Sequence, residues 1–454
     1  RRPHRQTEPA MKVTKLPVDP GPPAWNALLP PQTEYPALAG NKAADWLIIG
    51  AGFAGLAAAR RLKQLRPQDT IAILEARRVA HGPTGRNSGF MIDLPHNLAS
   101  DDYGGELERD ARHTRLNRAA IDFAAKAALD YGLGDEAFVR SGKTNAAATK
   151  KGLNHNKSYS AHLTKLGEPH ELLDEAQMRE MTGTSYYLGG LHTPGPAMIQ
   201  PALFVRGMAV GMASTGVDLY ETSPVTGLER EAGTWIAQTP GGRISAANVI
   251  LTVNGHAESF GFFTRRLVHI YLYASMTRPL TTDEVTTLGG AQRWAVTPAD
   301  PLGSTIRRIS GTGGDRIIVR NRVTYNSGRC ANEDSVEAFG RSQDSSFARR
   351  FPMLSGVAME HRWGGQLCLS RNDAPAFGEI DEGLFAACCQ NGLGVAKGTA
   401  SGLLIAELAA GETSPLLEDM LAEPAPSRLP PEPLAWLGAT ATMRWGEFTA
   451  GREL

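Results

Sequence analysis

The chain has 454 residues, 42% hydrophobic and 21% charged, enough for a packed core in two ordinary domains or in one domain with a large insertion. Forty-seven basic residues balance forty-seven acidic ones, so no net field draws nucleic acid or an anionic membrane, and charge selectivity must come from local pockets. No apolar run reaches the ~20 residues of a bilayer span and the first residues lack the apolar core of a secretory signal, so a soluble, cytoplasmic protein is expected, its four cysteines reduced.

Residues 1–10 precede Met11 and read as an upstream tail outside the fold. The stretch up to residue 44, with "KLPVDPGPPAWNALLPPQTEYPALAG", is too rich in proline for a continuous helix or central strand and is expected to wrap the surface. From Asp45 the pattern becomes strand (46–50), helix (54–65) and strand (71–75), one βαβ unit. After the loop "GPTGRNSGFM", Leu116, Ala120, Phe123 and Ala127 share one face of a helix. Residues 138–191 read as short strands and loops. "PALFVRGMAVGMASTG" reads as a helix, followed by a meander with strands at 235–239 and 249–253 and a turn at Gly241-Gly242. "LVHIYLYASMTRPL", "STIRRIS" and "DRIIVRNRVTY" alternate as half-buried antiparallel strands do. "GLFAACCQNGLGVAKGTASGLLIAELAAG" closes the pattern as strand, glycine loop and helix.

These elements predict an α/β protein: a doubly wound, Rossmann-like dinucleotide-binding domain with an antiparallel α+β domain inserted in pieces. The expected division is 45–135, 194–258 and 360–415 for the first domain and 136–193 and 259–359 for the second, with a C-terminal extension at 416–454.

Gly50, Gly52 and Gly55 form GxGxxG between a strand and a helix. The first allows a tight turn, the second lets a pyrophosphate approach the backbone, and the third lets helix and strand pack closely. Ala54 opens the helix whose free N–H groups would meet the phosphates. Glu75, twenty positions after Gly55, can accept both hydroxyls of an adenosine ribose and would repel a 2′-phosphate, with Ala76 and Arg77 beside it.

The loop Thr84, Gly85, Arg86, Asn87, Ser88, Gly89 resembles the "ASGRNSGF" segment of the FAD-dependent amine and amino-acid oxidoreductases, the family of glycine oxidase, sarcosine oxidase and D-amino-acid oxidase, with the strongest likeness to its γ-glutamylputrescine oxidase-like branch. The resemblance runs from about residue 45 to residue 411. It implies FAD, with the loop beside the pyrophosphate and isoalloxazine. It implies that Val225 of "TSPVTGLE" meets the adenine and that Gly255 of "VILTVNGHA" lies at the cofactor, while Asn254 and His256 depart from the family pattern. His256 is taken as a structural or surface histidine. The resemblance further implies that "HRWGGQLCLSRNDAPAFGEI" brings a strand to the flavin and that Gly392, Leu393 and Gly394 start a helix facing its pyrimidine edge. Lys397, in the first turn of that helix, is expected to lie against the reduced flavin as a catalytic residue.

For a substrate carboxylate the antiparallel strands offer Arg278, Arg307, Arg320 and Arg322, of which one at most is expected to serve. Tyr271 and Tyr273 share one face of their strand and Leu272 and Ala274 the other. Arg320 and Tyr271 are taken as substrate contacts. Cys388 and Cys389 do not match the family's flavin attachment position, so FAD is expected to be non-covalent, and no metal is expected.

The implied reaction is hydride transfer from the α-carbon of an amine or amino acid to flavin N5, then hydrolysis of the imine to an aldehyde or keto acid, with reoxidation by oxygen or another acceptor. A homo-oligomeric state is left open. The alternatives are a flavin monooxygenase or hydroxylase reduced by NAD(P)H, or a non-catalytic FAD-binding subunit.

Overall fold

The computed structural model describes residues 11–97, 100 and 103–454; the tail at 1–10 lies outside the described residues. Two sheets dominate. In the nine-stranded sheet, parallel strands Asp218–Tyr220, Ile71–Leu74, Gly40–Ile49, Gly242–Leu251 and Leu384–Cys388 lie side by side in that order. Their apolar runs are buried on both faces, as a parallel sheet covered by helices requires. Helix Phe53–Leu65 makes the crossover from Gly40–Ile49 to Ile71–Leu74 and packs closely on helix Ala396–Ala409, where a Cβ at Gly402 would stand 2.1 Å from the Ala54 carbonyl oxygen. Thr234–Thr239 joins antiparallel, as expected for the meander.

The eight-stranded sheet is largely antiparallel and includes Val268–Thr277, Thr305–Ile309 and Arg316–Tyr325. Two expectations change here. The boundary expected at 359/360 falls at the start of strand Met359–Leu369, which pairs along Val268–Thr277 and so belongs to this second sheet. The region 138–191 holds two helices as well as strands, Lys150–Leu166 and Glu175–Thr182. Asp174 caps the latter reciprocally with Gln177, a local signal strong enough to start a short helix with little apolar face.

The proline-rich segment does more than wrap the surface. Met11–Lys12 pairs with Gly227–Leu228, and Trp25 is fully buried. Around a single helical turn at Ala24–Ala27, Trp25 and Leu28 pack into the core with Ile48 of the first sheet and Met276 and Trp363 of the second.

Candidate functional site

The strand order reverses at Gly40–Ile49, whose neighbours are Ile71–Leu74 on one side and Gly242–Leu251 on the other. Open α/β sheets bind ligands at the carboxyl ends of strands at such a switch point. A cavity of about 320 Å³ lies there, lined by the strand ends Ile49, Leu74, Thr252 and Ala387 and by Gly50, Gly52, Ala54, Glu75, Ala76 and Arg77. Gly50 has φ of 108°, and a Cβ at Gly55 would lie 1.9 Å from the Gly50 oxygen. The third glycine is therefore needed for contact between helix and strand, and it sits behind the cavity wall. Gly52 is the N-cap without a side-chain cap, which leaves first-turn N–H groups for an anion. The Glu75 carboxylate is oriented by the N–H of Ala51 at 2.9 Å and of Arg77 at 3.0 Å. Burial pushes its pKa up while these bonds pull it down.

The loop after this unit is braced from several directions. Asn87 donates from Nδ2 to the Thr84 carbonyl at 2.8 Å and accepts the Gly89 N–H at 2.8 Å. Arg86 donates to the carbonyls of His81, Pro20 and Gly364 at 2.9, 2.9 and 3.0 Å, so its guanidinium holds the loop in place. Thr84, Arg86, Asn87, Ser88 and Gly89 line the cavity. Gly85 does not; it is pressed against Ala80, whose oxygen would lie 1.8 Å from a Cβ. The lining also includes Val225, Asn254 and His256. Gly255 does not line the cavity; a Cβ there would stand 2.9 Å from His269 Nδ1. His256 is buried in the cavity wall, and burial with the charge of Arg329 holds its pKa down to about 4. Gly392, Leu393 and Gly394 bring the start of helix Ala396–Ala409 to the cavity.

Lys397 is a correction. Gly394 and Gly398 share the cavity side of the helix turn, and Lys397 projects from its flank. Its ammonium lies 3.4 Å from Asp373, beside a small separate cavity lined by His113 and Glu423. Tyr271 is a second correction. The strand alternation turns Leu272 and Ala274 to the cavity and buries Tyr271 and Tyr273 on the opposite face with Val336.

Beyond the cofactor loop, the second sheet carries a transverse row, Ala274, Arg320 and Thr305 in register across three strands, with Thr297 and Asn145 paired on the two strands beyond. Thr305 pairs with Arg320, and Thr297 with Asn145. Arg320 donates from Nη2 to the Thr305 hydroxyl at 2.5 Å, and its Nε is sealed without a partner among the described residues. Burial lowers its pKa. Of the four candidate arginines only Arg320 lines this cavity; Arg278 pairs with Glu284 and Arg322 with Glu447. The sequence reading missed His96, Lys143 and Thr297. His96 lines the cavity and stacks on Tyr103 with ring centres 4.2 Å apart. Burial, then the charges of Lys143 and Arg320, keep it neutral with a pKa well below the usual range. Lys143 donates to Asn145 Oδ1 at 2.5 Å and to the Thr297 hydroxyl at 3.3 Å, and burial brings its pKa to about 7.

Cys388 and Cys389 are buried free thiols away from the cavity, and burial pushes Cys388 up to about 12. Cys368 does line the cavity, and burial raises its pKa well above the ordinary thiol range.

The cradle of glycines, the uncapped helix start and the oriented Glu75 fit the pyrophosphate and ribose of a dinucleotide. Over residues 45–408 the chain matches the FAD dependent oxidoreductase family, DAO, and it belongs to that family. It is 25% identical over 409 residues to the probable oxidoreductase OrdL of Rhizobium meliloti, covering 88% of this chain and 91% of that one. It is 25% identical over 387 residues to the γ-glutamylputrescine oxidoreductase of Escherichia coli, covering 81% and 84%. The fold is similar to that of glycine oxidase from Geobacillus kaustophilus, with a TM-score of 0.68 at 18% identity over 86% of this chain and 100% of that one. The protein is an FAD-dependent oxidoreductase. No helix among the described residues is long and apolar enough to cross a membrane.

Proposed function

We propose that this enzyme oxidises the carbon–nitrogen bond of a small amine that carries a carboxylate, an amino acid or a close relative of one. The observation that carries this reading is Arg320: a half-buried cation on the cavity wall, bonded to a neutral hydroxyl, with no acidic partner among the described residues. Such a group is costly to leave unpaired and matches a carboxylate in charge and fork geometry.

FAD, when bound, supplies the two-electron acceptor to which the α-carbon of the substrate gives a hydride. The chain supplies position and electrostatics. Arg320 anchors the carboxylate, and the neutral imidazole of His96 accepts an N–H from the amine. Lys143 and Arg320 make the pocket electropositive, which disfavours an ammonium and favours the free amine whose lone pair assists hydride departure. Leu272, Ala274 and Phe90 exclude water. The N-terminus of helix Ala396–Ala409 presents the positive end of its dipole to the cavity and favours negative charge there. Water then hydrolyses the imine to a keto acid or aldehyde, and the electrons pass to oxygen or another acceptor.

The test is anaerobic mixing of the holoenzyme with amino acids and with their decarboxylated counterparts while flavin absorbance is followed. Bleaching by the former and weak response to the latter is the expected result. Reduction by NADPH alone, with no response to any amine, would instead establish the monooxygenase reading.

A further inference from the structure

A second cavity, of about 170 Å³, stands behind the cofactor loop. Exposed Ser141, Arg293 and Thr312 line its outer part, and buried Lys143, Arg307 and Trp25 line its depth. Arg307 is only 9% exposed and forms part of the partition between the cavities. Its Nη1 donates to the carbonyls of Ser88 at 2.9 Å and Ile199 at 2.7 Å, and Ser88 also lines the flavin cavity. The guanidinium carbon lies 4.9 Å from the ring centre of Trp25. Nε and Nη2 have no hydrogen-bond partner among the described residues.

The charges around this space are one-sided. Burial, and then the like charge of Arg293, hold the Arg307 guanidinium down to about 9. Lys143 rests on a neutral amide and a hydroxyl. Of the two acids lining the cavity, Glu136 is occupied by the backbone N–H and hydroxyl of Thr312, both at 2.9 Å, and Asp135 is exposed. A buried guanidinium with open donors, a second guanidinium beside it and an aromatic wall form a receptor for a planar or tetrahedral anion. A cation left this way without a counter-charge is destabilising, and an anion of the right size would relieve that cost.

We propose that the second cavity is a binding site for a small carboxylate or phosphate anion, separate from the substrate pocket, and that Arg307 transmits its occupancy to the cofactor loop through the Ser88 carbonyl. The consequence is a linked change at the flavin: an anion drawn to Nε and Nη2 biases the same guanidinium that fixes Ser88.

The experiment is isothermal titration calorimetry of the FAD-loaded protein with malonate and, separately, inorganic phosphate at constant ionic strength, together with a flavin difference spectrum. Saturable binding of at least one probe with a spectral change is expected, and the tighter probe identifies the head group recognised. Arg293→Ala should weaken it at least tenfold, Arg307→Met should abolish it, and Arg320→Leu should leave it in place. If Arg307→Met does not retain FAD, Arg293→Ala decides the matter alone. Absence of saturable heat with both probes would overturn the proposal. So would binding that survives Arg293→Ala and disappears in Arg320→Leu, because that anion sits in the substrate pocket.

Discussion

Trp25 donates its indole N–H to the carbonyl of Asn87 at 2.8 Å, joining the proline-rich segment to the loop beside the flavin site. The indole is fully buried, so its ring also fills space between that segment and the second sheet. Trp25→Phe removes mainly the hydrogen bond and should cost about 1–2 kcal/mol; Trp25→Ala adds a cavity and should cost about 3–5 kcal/mol. Thermal unfolding measures both. The Phe variant should also lose FAD several-fold faster on dilution, and unchanged retention would detach Trp25 from the cofactor loop.

Glu75 is held ready by two backbone N–H groups, so a substitution there acts on the ligand more than on the fold. Glu75→Ala should weaken FAD binding by about 1.5–3 kcal/mol, roughly ten- to a hundred-fold. Flavin fluorescence on titrating apoprotein gives the affinity, and circular dichroism should show an unaltered fold.

Arg320→Leu should raise KM for carboxylate-bearing amines by two or more orders of magnitude with FAD content intact, since a charge-assisted bidentate pair is lost. The same variant should treat amines without a carboxylate no worse than the parent does. Equal losses for both classes in steady-state assays would move Arg320 from substrate recognition to general upkeep of the pocket.

Lys397→Met should leave flavin content and the rate of anaerobic reduction within about twofold. The ammonium it removes faces Asp373, and a partly exposed ion pair contributes about 0–1 kcal/mol. Stopped-flow reduction by substrate is the measurement, and a tenfold slowing would restore the lysine to the flavin.

Glu423 offers a pH prediction. Burial works against its charge, but the contact with His113 at 3.2 Å and the hydrogen bonds from Arg109 outweigh that and hold its pKa down to about 2. A depressed carboxyl stabilises the fold fully above its unfolded pKa, about 4.3, and that stabilisation fades as pH falls toward the folded value. The contribution is on the order of 2 kcal/mol. Melting temperature should therefore fall between pH 5 and pH 2, and Glu423→Gln should be less stable near neutrality with a flatter profile over that window.

Where backbone constraints reach into local composition, the sequence was readable. Glycines at a strand-to-helix turn, a carboxylate at the next strand end and period-two alternation in Val268–Thr277 are local features. They announce a dinucleotide site, and the structure brings Gly50, Gly52 and Glu75 to the wall of one cavity while Gly85 and Gly255 stay off it. The row on the second sheet is made by register between strands far apart in the chain: Asn145, Thr297, Thr305 and Arg320 come together only when their strands pair. No single segment shows that row. Tyr271 failed for a simpler reason, because alternation names two faces without saying which one looks inward. Helix Glu333–Arg350 escaped notice because its buried face includes Gly340, Gln343, Ser346 and Arg350, which carry no hydrophobic periodicity.

The first described residues have a bearing on how the holoenzyme is held together. Val13, Lys15, Leu16 and Pro17 form part of the cavity wall, while Asp19 is tied to Arg77 and Pro20 to Arg86 and Gly364. The strap is thus stitched to both sheets along the length of the cavity. A dinucleotide in this cavity would lie against Val13, Lys15, Leu16 and Pro17 for part of its length. A bound cofactor would add its contacts to those of the amino-terminal strap, so that each would stabilise the other.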